Sequence, residues 1–435
     1  MPSPTSVQTI VMATHGSFGD LHPFIALGQA LKARGCRVTL ATHPDYAAKV
    51  EAAGLAFVAF GPSREDYVRD LRVNPAEIIR RLSNDHGFMI KRLIAPYLER
   101  SIRDIAPYVA EADAVLGSPF AYGAHIAALL AGKPFTTVAL QPTVMMSSYD
   151  PPKVRQAPFI FEPSGELGRA YNRLIMAAGE QIMAASQSQV RRVYRKYGLH
   201  PRVGLGGIVS DHRTLALYSP LLAQPQPDFP PRTYLAGFPF YDSENGHAPV
   251  MPERLLTFLN EGPAPLVFSL GTAMVYGGEA YYRTAIAAAK RLNRRAVILS
   301  GPESPLLKEE FGLNICVVPY APHSLLLPRC ELIVHHGGIG STAQALRAGR
   351  PQLVTPVFGD QFDNARRVTL LGTGLRLDFD DFTVERAVMR LRQVLYSDKI
   401  AAAAQAVAPL IAAEDGAERA ADVLLNARNV NTLAA

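Results

Sequence analysis

The chain has 435 residues, of which 48% are hydrophobic and 19% are charged, and we expect such a chain to fold as two globular domains. Its net charge of +6 permits contact with an anionic membrane surface but is too small to indicate nucleic-acid binding. The sequence shows no signal-peptide pattern, no bilayer-spanning apolar run and no metal-ligand spacing among its three cysteines, so we expect a cytoplasmic protein with reduced thiols.

The first half of the chain alternates between strand and helix patterns. Apolar runs predict strands at 9–14, 37–42, 56–59, 114–117 and 135–139. Helices are predicted between them at 23–34, 46–53 and 121–131. Longer helical inserts are predicted at about 62–110 and 142–205. This alternation is typical of a parallel, doubly wound sheet.

A proline-rich segment in the middle of the chain, 221–231, predicts a linker. The alternation restarts after it, with predicted strands at 266–270, 296–300 and 315–318 and a helix at 281–292. The sequence therefore predicts four parts, which are an N-terminal domain, a linker, a C-terminal domain and a terminal helical segment: 1–220, 221–250, 251–414 and 415–435.

The most informative stretch runs from residue 320 to residue 365. Its parts, in chain order, are an apolar run at 332–334, the sequence His-His-Gly-Gly at 335–338, the start of an alanine-rich helix at 340–342 and a second apolar run at 352–356. A glycine turn before a helix directs unpaired backbone N–H groups and a positive helix end at one spot, which suits a diphosphate. Asp360 and Gln361 end the next strand, where they could hold a polyhydroxylated group. A sugar nucleotide fits both halves of this site.

Residues 320–365 resemble the donor-binding signature of the GT-B glycosyltransferases of family GT1. His-His-Gly-Gly, Ala-Gly-x-Pro-Gln and Asp-Gln-Phe-Asp-Asn-Ala occur in the family's order and spacing. The resemblance is closest to the bacterial branch that holds rhamnolipid rhamnosyltransferases, sterol glucosyltransferases and glycopeptide-antibiotic glycosyltransferases. It implies an α/β protein with two doubly wound, Rossmann-like parallel-sheet domains facing across a cleft. It also implies that the terminal helix packs back on the N-terminal domain.

The resemblance assigns the phosphate contacts of the donor site. His335 is implied to bind the diphosphate, whereas His336 is implied to support the site from behind rather than to contact the diphosphate directly. Backbone or hydroxyl donors are implied at the turn and the helix start: Gly337, Gly340, Ser341 and Thr342. Gly271 and Thr272, at the end of the first strand of the second domain, match a further phosphate contact.

The remaining donor contacts follow from the same resemblance. Tyr320 stands where plant relatives have a tryptophan that stacks on the base, and His323 replaces a glutamine that reaches the ribose. Asp360 and Gln361 match the pair that binds sugar hydroxyls. No metal site and no cofactor besides the nucleotide sugar is expected.

The candidate general base lies in the loop after the first strand. Plant relatives have Gly-His-x-x-Pro here, and counting back from Pro23 places Asp20 at the position of their catalytic histidine. Asp20 could also be the N-cap of a helix that begins near Pro23. His15 stays an alternative base, because an imidazole has an ordinary pKa closer to neutrality than a carboxyl. His22 is more simply a packing residue.

The acceptor is predicted to bind to the N-terminal inserts and the first loop. We expect contacts from six residues: Gly16, Ser17, Phe88, Phe120, Met145 and Met146. Methionine and aromatic side chains favour a lipophilic alcohol such as a lipid, sterol, carotenoid or polyphenol.

The leading interpretation is an inverting, metal-independent O-glycosyltransferase that uses UDP-glucose or dTDP-rhamnose. Peripheral contact with the inner face of a membrane is compatible with the basic run at 191–196. Two alternatives stay open: a sugar-nucleotide epimerase with the same fold, and a non-catalytic partner subunit that binds a sugar nucleotide.

Overall fold

The computed structural model describes residues 8–426, apart from short gaps at 156, 158, 161, 201–202, 205–206, 211, 244–245 and 275–277. The predicted terminal segment, 415–435, is therefore described up to residue 426, and its last nine residues lie outside the described part. The first seven residues of the predicted N-terminal domain also lie outside it.

The first sheet has seven strands in the order β3-β2-β1-β4-β5-β8-β9, and all neighbours in it are parallel. Its strands are β1 Thr9–Ala13, β2 Arg37–Thr42, β3 Ala56–Ala59, β4 Ala114–Gly117, β5 Phe135–Ala139, β8 Arg213–Ala216 and β9 Thr233–Leu235. The strand order reverses between β1 and β4, and ligands of doubly wound sheets bind at such a switch point. A small antiparallel ribbon lies outside this sheet: β6 Val203–Gly204 and β7 Gly207–Ile208.

The second sheet has six parallel strands in the order β12-β11-β10-β13-β14-β15. Its strands are β10 Leu266–Ser269, β11 Ala296–Leu299, β12 Ile315–Val318, β13 Leu332–His335, β14 Gln352–Val354 and β15 Gly374–Arg376. The switch point lies between β10 and β13. The predicted pair of doubly wound parallel sheets is thus confirmed.

Helices connect the strands of both sheets. In the first half they are α1 Phe18–Ala33, α2 Ala47–Ala52, α3 Arg64–Leu71, α4 Pro75–Asn84, α5 His86–Phe88, α6 Leu98–Ala110, α7 Tyr122–Leu130, α8 Gly165–Ser186 and α9 Ser188–Lys196. In the second half they are α10 Glu253–Asn260, α11 Gly271–Met274, α12 Glu279–Arg291, α13 His323–Leu326, α14 Ile339–Arg347, α15 Gln361–Leu370, α16 Val384–Leu395, α17 Asp398–Ala412 and α18 Gly416–Leu425. No helix in the described part is both long and apolar enough to cross a membrane.

The start of α1 differs from the prediction. The helix begins at Phe18, five residues earlier than expected, because Ser17 and Asp20 form a capping box. The Ser17 hydroxyl accepts the N–H of Gly19 at 3.3 Å, and the Asp20 carboxylate accepts the N–H of Ser17 at 2.9 Å. Asp20 therefore lies inside the first turn, and its interpretation as the N-cap was wrong.

Two contacts bear on the predicted division of the chain. Strand β9 falls within the predicted linker, 221–250, yet it pairs with β8 in the first sheet. Helix α18 packs against α1, where Arg34 forms an ion pair with Asp422 at 2.8 Å and another with Glu418. The predicted boundaries themselves stay predictions.

Candidate functional site

The switch point of the second sheet brings two loops together. Because β10 and β13 are neighbours, with Ser269 opposite His335, the residues that follow each strand lie side by side. The ring of His336 lies against Gly271, where an added Cβ would be only 2.5 Å from its Cε1 atom. Gly271 has φ +69, which favours glycine. Thr272, next in the chain, is partly buried.

The loop after β1 positions the Asp20 carboxyl. Gly16 has φ +126, and a Cβ added there would lie 2.0 Å from Oδ2 of Asp20, so this close approach requires glycine. Burial raises the pKa of Asp20 to about 6, against the opposing effect of its hydrogen bonds with Ser17. A carboxyl with that pKa is largely ionised at neutral pH and is a stronger base than an ordinary aspartate.

The imidazole of His15 is placed differently from the carboxyl of Asp20. Its ring stacks on Phe60 with centroids 4.4 Å apart. Burial, followed by the nearby His43, lowers the pKa of His15 to about 3. His15 is therefore a much weaker base than its residue type suggests. His22 stacks on another side chain of α1, and burial lowers its pKa to about 3 as well.

The N-terminus of α14 forms a second part of the site. Gly338 is its N-cap, and among the described residues no side chain caps it. The N–H groups of the first turn, which includes Gly340 and Ser341, therefore lack intrahelical partners and can face an anion. The Thr342 hydroxyl instead donates to the Gly338 carbonyl at 3.0 Å. Gly337 has φ +88 and lies too close to β14 for a larger residue.

The two adjacent histidines are placed differently from what the resemblance implies. His335 is fully buried, its Nε2 lies 2.9 Å from the Gln352 side-chain oxygen, and its Nδ1 accepts the N–H of Gly337 at 3.1 Å. Both ring nitrogens are thus used inside the protein, and this geometry does not support His335 as a side-chain ligand of a diphosphate. His336 is partly exposed, and its Nδ1 is buried without a hydrogen-bond partner among the described residues. His336 is the better placed of the two.

Asp360, in the other half of the chain from Asp20, is the N-cap of α15. Its Oδ2 accepts a hydrogen bond from the Asn364 amide at 2.8 Å, and the same amide donates to the Gly337 carbonyl at 2.9 Å. Burial raises the pKa of Asp360 to about 7, and the negative charge of Asp20 contributes to that increase. Helix α1, which holds Asp20, also contacts α14 of the second half.

Gln361 is more constrained than predicted. Its side-chain oxygen accepts the N–H groups of Val357 and Phe358, at 2.9 and 3.2 Å. This leaves only the side-chain Nε2 of the Gln361 amide to reach a ligand.

Tyr320 and His323 lie beside a residue that the sequence did not single out. The backbone carbonyl of Asp242 accepts a hydrogen bond from the Tyr320 hydroxyl at 3.1 Å. Its carboxylate accepts a hydrogen bond from the Ser324 N–H at 2.8 Å. The Nε2 of His323 is buried without a hydrogen-bond partner in the described part of the chain. Asp242 thus anchors the segment that carries both predicted ligands.

The structure does not gather the four apolar residues predicted for the acceptor. Phe88 is buried, Phe120 packs on the edge of the first hydrophobic core, and Met145 joins Ile339 in a cluster shared by the two halves. Met146 follows in a left-handed conformation, φ +49. A pocket of about 310 Å³ near the start of α8 is lined by other residues: Glu162, Pro163, Ser164, Gly168, Tyr171 and Asn172.

A buried ion-pair network, which sequence reasoning missed, joins the two halves beside the site. Arg367 contacts Asp363 and Asp150, each at 2.7 Å, and Arg366 contacts Asp150 at 3.1 Å. The backbone N–H of Lys153 also donates to Asp363 at 3.0 Å. We call these residues the clamp. The i, i+4 spacing of Asp363 and Arg367 was readable from the sequence, whereas their partners were not.

Two family models match the chain. Residues 10–137 match the glycosyltransferase family 28 N-terminal domain, and residues 286–426 match the C-terminal domain of erythromycin biosynthesis protein CIII-like proteins. Each match contains one half of the site, the first with Asp20 and the second with α14 and Asp360.

Similar proteins cover nearly all of the chain. A sterol 3-beta-glucosyltransferase of Yarrowia lipolytica is 29% identical over 95% of the chain, which spans only 28% of that protein's length. An O-mycaminosyltylonolide 6-deoxyallosyltransferase of Streptomyces fradiae is 29% identical, over 94% of the chain and 95% of its own length. The crystal structure of the glycotransferase of kitacinnamycin aligns with a TM-score of 0.69 and 22% identity, over 97% of this chain and 99% of that one.

The matches agree with the motifs and with the architecture. The two family models lie on opposite sides of the linker, and the solved structure shares the overall fold. Over nearly its whole length the chain is similar to GT1-type GT-B glycosyltransferases.

Proposed function

We propose that this chain is an inverting O-glycosyltransferase that moves a hexose or deoxyhexose from a nucleotide-diphosphate sugar to a hydroxyl of a lipophilic acceptor. UDP-glucose and dTDP-rhamnose are the donor candidates. The similar proteins act, by their names, on a sterol and on O-mycaminosyltylonolide. A sterol or a macrolide is therefore the first acceptor class to test.

One observation carries the proposal: α1, which holds Asp20, contacts α14 of the second half, and the negative charge of Asp20 helps to raise the pKa of Asp360. An acceptor hydroxyl beside Asp20 and a donor between Asp360 and α14 would then meet between the switch points. Such positioning supplies much of the rate enhancement of a two-substrate reaction.

In the proposed reaction, Asp20 takes the proton of the acceptor hydroxyl as its oxygen bonds to the anomeric carbon. The bond from that carbon to the diphosphate oxygen breaks, and the diphosphate leaves with the electron pair. Because the acceptor and the diphosphate occupy opposite faces of the sugar, the anomeric configuration inverts. The raised pKa of Asp20, about 6, suits this role better than the lowered pKa of His15, about 3.

We further propose that the N–H groups at the start of α14 and the imidazole of His336 stabilise the charge of the leaving diphosphate. Each well-placed donor of this kind contributes about 3–4 kcal/mol to a transition state. Burial and the neighbouring imidazoles lower the pKa of His336 to about 3, so its neutral ring would donate a hydrogen bond. In the described part of the chain, no cluster of three His, Cys, Asp or Glu side chains could hold a metal ion. Metal-independent transfer is part of the proposal.

The test combines donor titration with turnover. Purified protein is titrated with UDP-glucose and dTDP-rhamnose, and release of nucleotide diphosphate is followed with a sterol and a macrolide, with and without a chelator. We expect one donor to bind, acceptor-dependent release that the chelator does not reduce, and a product of inverted anomeric configuration by NMR. Donor binding without release would favour the partner-subunit alternative.

Two variants test the assignment of the base. Asp20→Asn keeps the shape of the side chain, and we expect it to bind donor normally but to lose about 10²-fold or more in turnover. His15→Gln is the matched control and should retain most of the turnover. The opposite pattern would give the role of base to His15.

A further inference from the structure

Helix α8 presents an apolar stripe to solvent. Its exposed residues at i, i+4, i+7, i+11 and i+15 lie on one face of the helix, and we call them the α8 stripe: Leu167, Tyr171, Leu174, Ala178 and Ile182. Leu167 is 87% exposed, Leu174 is 67% exposed and Ile182 is 75% exposed. Exposed aliphatic side chains are common singly, but a continuous row along one helix marks an interaction surface.

The helix is anchored by its other side. Asn172 and Ser186 are its only residues described as buried. Gly168, Ile175 and Met183, which are partly buried, lie on that same side. The strongly exposed members of the stripe, Leu167, Leu174 and Ile182, are therefore not needed for packing within the chain, and changes to them should leave the fold intact.

Positive charge accompanies the stripe. Residues 165–196, which cover α8 and α9, contain six Arg or Lys residues and two Glu residues. They thus hold +4 of the chain's net charge of +6. Arg192 and Arg195 are exposed on α9, which begins two residues after α8 ends.

We propose that the α8 stripe and the basic residues of α9 dock this protein on an anionic lipid surface. A row of aliphatic side chains along one helix face can bury itself at the boundary between headgroups and acyl chains. Arginines near it gain from anionic headgroups. A second copy of the chain fits less well, because pairing two such surfaces would bring together two segments of +4.

Vesicle co-sedimentation of the full chain tests this proposal. We expect binding to vesicles of phosphatidylcholine mixed with phosphatidylglycerol, weaker binding to phosphatidylcholine alone, and loss of the difference at high salt. Leu174→Glu combined with Ile182→Glu should weaken binding about tenfold or more. Arg192→Gln and Arg195→Gln should each weaken binding to the anionic vesicles about fivefold.

The matched control is Leu313→Glu, since Leu313 is 97% exposed but lies in the second half of the chain. It should bind like the unchanged protein, and circular dichroism should show all variants folded. Absence of vesicle binding, or equal loss in the stripe and control variants, overturns the proposal. A dimer in light scattering that the stripe variants dissociate also overturns it, because the stripe would then bind a second copy. None of these readouts depends on glycosyl transfer.

Discussion

The clamp offers a quantitative test of how the two halves are held together. Arg367 is 4% exposed and Asp363 is fully buried, whereas a second ion pair between the same halves, Arg155 with Asp380, is 46% and 65% exposed. Removing one partner of a buried pair leaves an uncompensated charge and costs about 3–5 kcal/mol. An exposed pair contributes about 0–1 kcal/mol. The two pairs should therefore respond very differently to the same substitution.

We expect Arg367→Met to lower the free energy of unfolding by about 3 kcal/mol, the lower end of the range for buried pairs. Asp363 would lose its contact with Arg367 at 2.7 Å but would keep the Lys153 N–H at 3.0 Å and Arg366 at 3.7 Å. Arg155→Met, the matched control, should change the free energy by less than about 1 kcal/mol.

The assay is urea unfolding followed by far-UV circular dichroism, because the chain contains no tryptophan to report by fluorescence. The two variants are compared in the same buffer, so that errors of extrapolation largely cancel. Equal losses of stability in Arg367→Met and Arg155→Met would refute the reasoning, since burial would then not decide the contribution of these pairs.

Three further predictions concern the site. Because the pKa of Asp20 is about 6, kcat/KM should fall as the pH drops below about 6 and the base becomes protonated, and Asp20→Asn should lose that limb. Asp20→Asn also removes a negative charge that helps to raise the pKa of Asp360 to about 7, so the pKa of Asp360 should fall in that variant, as an NMR titration of its carboxyl would show. Gly271→Ala should displace the ring of His336 and weaken donor binding about tenfold in calorimetry. The control is Gly132→Ala, which should bind donor normally, because Gly132 has a similar φ of +65 but open space around it.

Most strands were predictable because they are short apolar runs bounded by polar or turn residues, although Arg213–Ala216, Thr233–Leu235 and Gly374–Arg376 were not predicted. Five strands have the predicted bounds: Arg37–Thr42, Ala56–Ala59, Ala114–Gly117, Phe135–Ala139 and Ile315–Val318. The start of α1 was not predicted, because Pro23 was taken as the first helical residue. The capping box formed by Ser17 and Asp20, which lies earlier in the chain, starts the helix instead.

The motif predicted a diphosphate site but could not decide which histidine would face it. Adjacent residues at a strand end point in different directions, and the direction depends on the neighbouring strands. Here Gln352 of β14 is fully buried and holds the His335 ring inside the protein. That contact spans two strands of the sheet, and local spacing carries no sign of it.

The relative position of Asp20 and Asp360 depends on contacts between the two halves of the chain that neither motif reveals. Each residue is placed by its own loop, yet the reaction requires both loops to be aligned closely, because small displacements cost large factors in rate. In this structure the alignment is maintained by the clamp, by the cluster that joins Met145 to Ile339, and by α18 against α1. Substitutions in these contacts should therefore change turnover together with stability.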